Sequence, residues 1–150
     1  MQLIDSLDAG GAERVAVHLA NYLPPSRFTS YLCASRRQGP LASEVAGHVK
    51  LICLERRHRF DIAALLRLAK LIREERIGIV HAHSTSLFLA VAASRFMPGC
   101  GLVWHVHYGE WAILKRAPIP YHIAVRWVAG TICVNEALTN WALLTLRMRC

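Results

Sequence analysis

Short apolar runs alternate with longer amphipathic segments along the whole chain. The runs have the length of buried strands, and the segments between them carry apolar residues at helical spacing. We predict six strands, at residues 3–7, 28–34, 49–54, 77–82, 102–106 and 131–134. We predict helices at residues 13–23, 39–46, 61–76, 86–96, 120–128 and 136–146. This order predicts an α/β fold, a Rossmann-like parallel sheet with helices on both faces.

The clearest helical period lies in residues 61–76, where apolar and basic side chains separate onto different faces. Asp61 is its expected N-cap. Strands joined through such helices run parallel with right-handed crossovers, and ligands gather at the carboxyl ends of the strands. We therefore look for chemistry where each strand ends.

Length and composition define one folded domain. The 150 residues suit a single core, and 54% hydrophobic against 19% charged residues excludes a disordered chain. The mean hydropathy of +0.29 raises the question of a membrane span. The longest stretch without Asp, Glu, Lys or Arg, residues 77–94, contains two histidines and several hydroxyl residues, which argues against that interpretation.

The charge is strongly positive. Lys and Arg number 18, of which 15 are Arg, against 10 Asp and Glu, and the pI is near 9.8. Arginine favours phosphate and carboxylate, so we expect anionic partners. Nucleic acid is not expected, because no basic patch with interleaved aromatic residues is recognisable. Five separated cysteines without a CxxC motif fit reduced thiols, and no signal-peptide pattern is seen, so we expect a cytoplasmic protein.

A glycine pair follows the first predicted strand, in DAGGAER at residues 8–14. Gly10 and Gly11 would let the backbone approach a ligand, and the helix N-terminus beyond them suits a phosphate. The dinucleotide fingerprint is not matched, because GxGxxG is missing and Arg36 and Arg37 stand where an acid is required. The alternative is that the glycines only permit a tight turn.

Two His-x-His pairs end predicted strands: His81 with His83, and His105 with His107. Alternation along a strand puts both members of a pair on one side, so four imidazoles could face one cleft. We expect no metal and no cofactor, because Glu110 is the only acidic or thiol residue near either pair in sequence. The alternative is that at least two of these histidines only satisfy hydrogen bonds within the fold.

The basic segment at residues 55–61 and the pair Arg36 and Arg37 form a further candidate patch. It could face the ligand crevice or an anionic membrane surface. The alternative is an ordinary solvated charged face.

Four motifs together carry a family resemblance. The sequence resembles the N-terminal domain of family 4 glycosyltransferases in GGAERVAVHLANYL, GIVHAHS, LVWHVHYG and ICVNEAL, at residues 10–23, 78–84, 102–109 and 132–138. The resemblance implies half of a GT-B enzyme that transfers a sugar from a nucleotide-sugar donor with retention of configuration. It makes the N-terminal domain the acceptor side, with a glycan or lipid-linked acceptor.

The resemblance also assigns roles to residues. It implies that Gly10 and Gly11 approach the donor diphosphate and that His107 faces the acceptor and the reacting sugar. His83 and Glu110 become further substrate-binding candidates. These roles suit the chemistry, because a helix N-terminus stabilises charge on the departing diphosphate, and a neutral imidazole can position the attacking hydroxyl.

The resemblance stops before the family's C-terminal donor domain, with its paired-glutamate signature. We therefore expect residues 1–150 to be a truncated N-terminal domain that is inactive in isolation. The alternative function is a non-catalytic acceptor-binding subunit that needs a separate donor subunit, and a dehydrogenase-type Rossmann domain is a third hypothesis. Peripheral contact with the inner face of the membrane is a further expectation.

Overall fold

Six parallel strands form one sheet in the computed structural model, which describes residues 1–107 and 119–148. The strands are β1 (Gln2–Ser6), β2 (Tyr31–Arg37), β3 (Lys50–Cys53), β4 (Ile79–His83), β5 (Gly101–Val106) and β6 (Gly130–Cys133). Their spatial order is β3-β2-β1-β4-β5-β6. The chain therefore moves outward from β1 to β3, returns across the sheet, and continues outward from β4 to β6. This confirms the predicted Rossmann-like fold class.

In the part of the chain that the structure describes, five α-helices connect or follow the strands. They are α1 (Gly11–Tyr22), α2 (Ile62–Glu74), α3 (Leu87–Ser94), α4 (Ile119–Ala124) and α5 (Glu136–Leu146). Short 3₁₀ helices occupy Pro40–Glu44, Ser84–Ser86 and Val125–Trp127. Within the described ranges, none of these helices has the length and apolarity needed to cross a membrane.

The two faces of the sheet have separate cores. Alternation in β1 sends Leu3 to one face and Ile4 to the other. Buried residues of α2, α3, α4 and α5 pack on the Leu3 face, around Trp104 of β5. Buried residues of α1 pack on the Ile4 face. Helices thus lie on both faces, as predicted.

Side chains cap two of the helices. Asp61 accepts a 3.0 Å hydrogen bond from the Ala64 backbone N–H, which confirms the predicted N-cap of α2. Asn135 caps α5 in the same way, accepting from the Leu138 N–H at 2.9 Å. Each cap satisfies a backbone donor that the helix itself leaves free.

Three predicted elements differ from the structure by more than two residues or in the type of helix. Strand β2 begins at Tyr31 instead of residue 28, because the Phe28 N–H bonds back to the Pro24 carbonyl in a turn after α1. The predicted helix at residues 39–46 is a 3₁₀ turn, Pro40–Glu44. The predicted helix at residues 120–128 divides into α4 and the following 3₁₀ turn, Val125–Trp127.

Candidate functional site

The four histidines of the two His-x-His pairs come together on one face of the sheet. Strands β4 and β5 are neighbours, and His83 stands opposite His105 in their register. The rings stack: the centroids of His105 and His107 are 4.1 Å apart, and those of His81 and His105 are 5.2 Å apart with nearly parallel planes. Alternation along each strand therefore builds a contiguous ladder of imidazoles at the carboxyl edge.

A hydrogen-bond chain crosses from β1 to the end of β5. His83 Nε2 lies 2.9 Å from Gln2 Oε1, and His83 Nδ1 lies 3.0 Å from His107 Nε2. A carbonyl oxygen only accepts, so His83 Nε2 must donate to Gln2. His83 Nδ1 is then the acceptor, and His107 Nε2 donates to it. This assignment makes Nδ1 of His107 an acceptor, and no donor among the described residues bonds to it.

Burial keeps the ladder uncharged. Desolvation, followed by the neighbouring imidazoles, lowers the pKa of His83 to about 2 and that of His81 to about 4. Desolvation, followed by His105, lowers the pKa of His107 to about 4. Desolvation also lowers the pKa of His105. A neutral imidazole has a ring-nitrogen lone pair that can accept a hydrogen bond from a hydroxyl, which imidazolium lacks.

Three histidines of the ladder lie close enough together to be candidate metal ligands. One ligand nitrogen each from His81, His83 and His105 lie within 4.8 Å of one another. Zinc holds nitrogen at about 2.0–2.1 Å, so two nitrogens on one ion can be no more than about 4.2 Å apart. Nitrogens at the outer limit of the 4.8 Å separation would have to move closer together before they could share a zinc ion.

Two nitrogens of the ladder are buried without a partner. His81 Nε2 and His105 Nδ1 have no hydrogen-bond partner among the residues that the structure describes. The hypothesis that some of the four histidines only satisfy hydrogen bonds within the fold does not account for these two unpaired nitrogens.

Helix α1 starts at the carboxyl edge of β1, directly after Gly10. Gly10 is the N-cap in an extended conformation, and no side chain caps the helix. A Cβ on Gly11 would meet nothing within 4 Å, and a Cβ on Gly10 would meet only the flexible Glu13 carboxylate. Neither the fold nor the backbone angles require glycine here. The turn leaves first-turn N–H groups without a side-chain cap, which suits an anion.

Asp5 is the centre of a polar cluster that the sequence analysis missed. Its carboxylate accepts hydrogen bonds from Ser35 Oγ at 2.8 Å and Thr85 Oγ1 at 2.7 Å, and from Ser86 Oγ at 3.3 Å. It also pairs with Arg56 Nη2 at 2.8 Å. The available signal was a lone carboxylate inside an apolar strand run, in LIDS at residues 3–6.

The basic residues of the predicted patch differ in their exposure and in their partners. The Arg56 side chain is only 7% exposed and points to Asp5, so it does not belong to a solvated face. Arg37 pairs with Asp8 at 2.7 Å on the surface, and this bond lowers the pKa of Asp8. Glu110, the remaining predicted site residue, lies outside the described residues.

An open parallel sheet with polar side chains at its carboxyl edge defines a Rossmann-like ligand-binding domain. A family model described as Glycosyltransferase Family 4 matches residues 9–148, so the chain belongs to this family. The resemblance seen in the four sequence motifs is thereby confirmed. A comparison with curated proteins found no match. Membership of the family gives the domain a glycosyltransferase-type function, with a sugar donor and an acceptor as its substrates.

Proposed function

We propose that this domain is the acceptor side of a retaining glycosyltransferase. In this proposal, a second domain binds a nucleotide-sugar donor, and residues 1–150 hold a glycan or lipid-linked acceptor on the cytoplasmic side of a membrane. The single observation that carries the proposal is the Gln2–His83–His107 hydrogen-bond chain. It presents a neutral imidazole at the edge of the sheet where ligands of such folds bind.

His107 is the residue that we assign to the acceptor. Its Nδ1 lone pair can accept a hydrogen bond from the attacking hydroxyl and so fix the direction of attack. His83 and Gln2 act through His107, because they fix which of its nitrogens carries the hydrogen. They are therefore positioning residues.

Helix α1 is assigned to the departing diphosphate. Negative charge grows on that group during transfer, and the uncapped N–H groups after Gly10 and Gly11 favour negative charge. The Glu13 carboxylate now lies against Gly10 and would have to swing away before a diphosphate could approach. Its flexible side chain permits this movement.

The test compares histidine variants in the chain joined to a family 4 donor domain. We expect His107→Ala to lower kcat by about 100-fold, the scale of one lost positioning or general-base contact. The matched control is His48→Ala, since His48 is exposed and lies outside the ladder. Circular dichroism must show that both variants fold. Near-normal turnover in a folded His107→Ala enzyme contradicts the assignment.

Gln2→Leu tests the positioning role separately. The variant removes the acceptor that fixes the His83 tautomer but keeps the side-chain size, so kcat should fall while KM stays close to the wild-type value. The pH dependence of kcat should change as well, which a purely structural role would not cause.

Gly11→Ala tests the diphosphate site. The added Cβ has free space, so the variant should fold like the wild type. It would nevertheless stand in the path of a diphosphate, and turnover should fall. Unchanged turnover contradicts this part of the proposal. Transfer by the 150-residue chain without any donor domain contradicts the two-domain arrangement.

A further inference from the structure

A second site lies on the opposite face of the sheet from the histidine ladder. Alternation in β1 places Gln2 beside His83, and Leu3 and Asp5 on the other face. A cavity of about 770 Å³ opens there. It lies between α2 and α3, and the Asp5 cluster is at its inner end. The function proposed above does not use this cavity.

The cavity combines apolar walls with three arginines. Leu65 of α2 and Phe88 and Leu89 of α3 line it, and Phe60 and Ile62 stand at the rim with 73% and 69% of their surface exposed. The arginines that line it are Arg36, Arg56 and Arg59. Small-molecule binding sites are usually apolar cavities with a few charged or polar groups directed into them.

Arg56 is the buried charge of the cavity. It is only 9% exposed, and one terminal nitrogen, Nη2, pairs with Asp5. Its Nε has no hydrogen-bond partner in the part of the chain that the structure describes. A buried guanidinium N–H without a partner is costly, and a ligand acceptor atom in the cavity would satisfy it.

Three arginines and two carboxylates, Asp5 and Asp61, line the cavity, so its lining carries a net charge of +1. Asp5 pairs with Arg56, and Asp61 accepts from the backbone N–H groups of Arg57 and Ala64 at the start of α2. Within residues 1–107 and 119–148, Arg36 and Arg59 have no acidic partner, and Arg59 instead lies over the Phe60 ring at 4.8 Å. The guanidinium groups of Arg36 and Arg59 are therefore available as hydrogen-bond donors to a ligand.

We propose that this cavity binds a phosphate monoester of an apolar group. A phosphate monoester carries about −1.5 to −2 charge at pH 7 and has three terminal oxygens, so it can accept hydrogen bonds from Arg36 and Arg59 at the same time. The apolar chain or ring of the ester would lie against Leu65 and Phe88. Both a soluble ester and a lipid headgroup have this chemistry. Binding at this site does not depend on sugar transfer.

Isothermal titration calorimetry with hexyl phosphate tests the proposal. Hexyl phosphate should bind at least about tenfold more tightly than inorganic phosphate or hexanoate, because only it uses both the charges and the apolar wall. The Arg36→Gln/Arg59→Gln double variant should weaken this binding at least about tenfold. The matched control is Arg57→Gln/Arg73→Gln, which removes two exposed arginines that do not line the cavity.

Two further variants separate the parts of the site. Arg56→Lys keeps the buried charge but removes the Nε donor geometry, and Phe88→Ala removes part of the apolar wall. Arg56→Lys should weaken hexyl phosphate and inorganic phosphate alike. Phe88→Ala should weaken hexyl phosphate and leave inorganic phosphate unchanged.

Binding to lipid vesicles distinguishes a lipid phosphate monoester from a soluble one. Sedimentation with phosphatidylcholine vesicles that contain phosphatidic acid, compared with pure phosphatidylcholine, measures binding of a lipid phosphate monoester. Phosphatidic acid-dependent sedimentation that hexyl phosphate inhibits supports a lipid ligand, and hexyl phosphate binding without sedimentation supports a soluble one. The proposal is overturned if neither probe binds, if inorganic phosphate binds as tightly as hexyl phosphate, or if both double variants behave alike.

Discussion

Removal of the Asp5 carboxylate should destabilise the fold far more than removal of a surface carboxylate in an equally short ion pair. Asp5 and Arg56 are 2.8 Å apart, and the Arg56 side chain is 7% exposed. Asp8 and Arg37 are 2.7 Å apart, but their side chains are 44% and 71% exposed. Burial, and not distance, therefore distinguishes the two pairs.

The magnitude follows from what Asp5→Ala leaves behind. The Arg56 guanidinium would stay buried without its partner, a change that typically costs about 3–5 kcal/mol. The Asp5 side chain is 28% exposed, so water can reach the vacated space, and we expect about 3 kcal/mol. Asp5→Asn keeps an acceptor for Ser35 and loses only the charge, so it should cost about 2 kcal/mol.

Urea unfolding followed by circular dichroism measures these differences. With a slope of about 2 kcal/mol/M, a loss of about 3 kcal/mol lowers the midpoint by about 1.5 M. Asp8→Ala, the matched control, should lower it much less. Adding Arg56→Met to Asp5→Ala should restore stability, because the unpaired cation is gone. Equal midpoints for Asp5→Ala and Asp8→Ala would refute this reasoning.

Three further changes test other parts of the structure in the same unfolding assay. Gly39→Ala should cost about 1–3 kcal/mol, since its Cβ would lie 2.6 Å from the Asp8 backbone nitrogen, whereas Gly47→Ala has open space and should be neutral. Asn135→Ala should cost about 1 kcal/mol by removing the α5 cap, and an unchanged midpoint would contradict that role. Burial lowers the pKa of His83, so the unfolded chain binds protons that the folded chain excludes, and stability should fall as the pH drops from about 6.5 toward 4. His83→Gln should flatten this decline.

The sequence predicted the bounds of a helix best where local residues fix its first and last turns. Helix α5 begins and ends at the predicted residues, because Asn135 caps its start and Arg147, at φ 53°, turns the chain out of the helix. The segment at residues 39–46 begins with Gly39 and Pro40, yet it forms only a 3₁₀ turn. There Gly39 packs against the backbone of Leu7 and Asp8, a tertiary contact that sequence periodicity does not record.

The sequence predicted only those features of the candidate site that follow from the alternation of side chains within a single strand. His81 and His83 are two residues apart, as are His105 and His107. This spacing places both members of each pair on the same face of the sheet. The partner of His83 depends instead on strand order: Gln2 reaches it because β1 lies beside β4. The same holds for Asp5, whose hydroxyl partners come from β2 and from the turn after β4.

The strand order also has a consequence for synthesis of the chain. One edge of β1 pairs with β4, and the His81 N–H donates to the Met1 carbonyl at 2.8 Å across about eighty positions of sequence. At about 5–20 residues per second, a ribosome needs roughly 4–16 s to make that intervening stretch. During this interval β1 can pair with β2, but its other edge is an unpaired template for any extended segment nearby. A nascent chain arrested before residue 79 should therefore bind chaperones that recognise extended apolar strands, and release them once β4 has emerged.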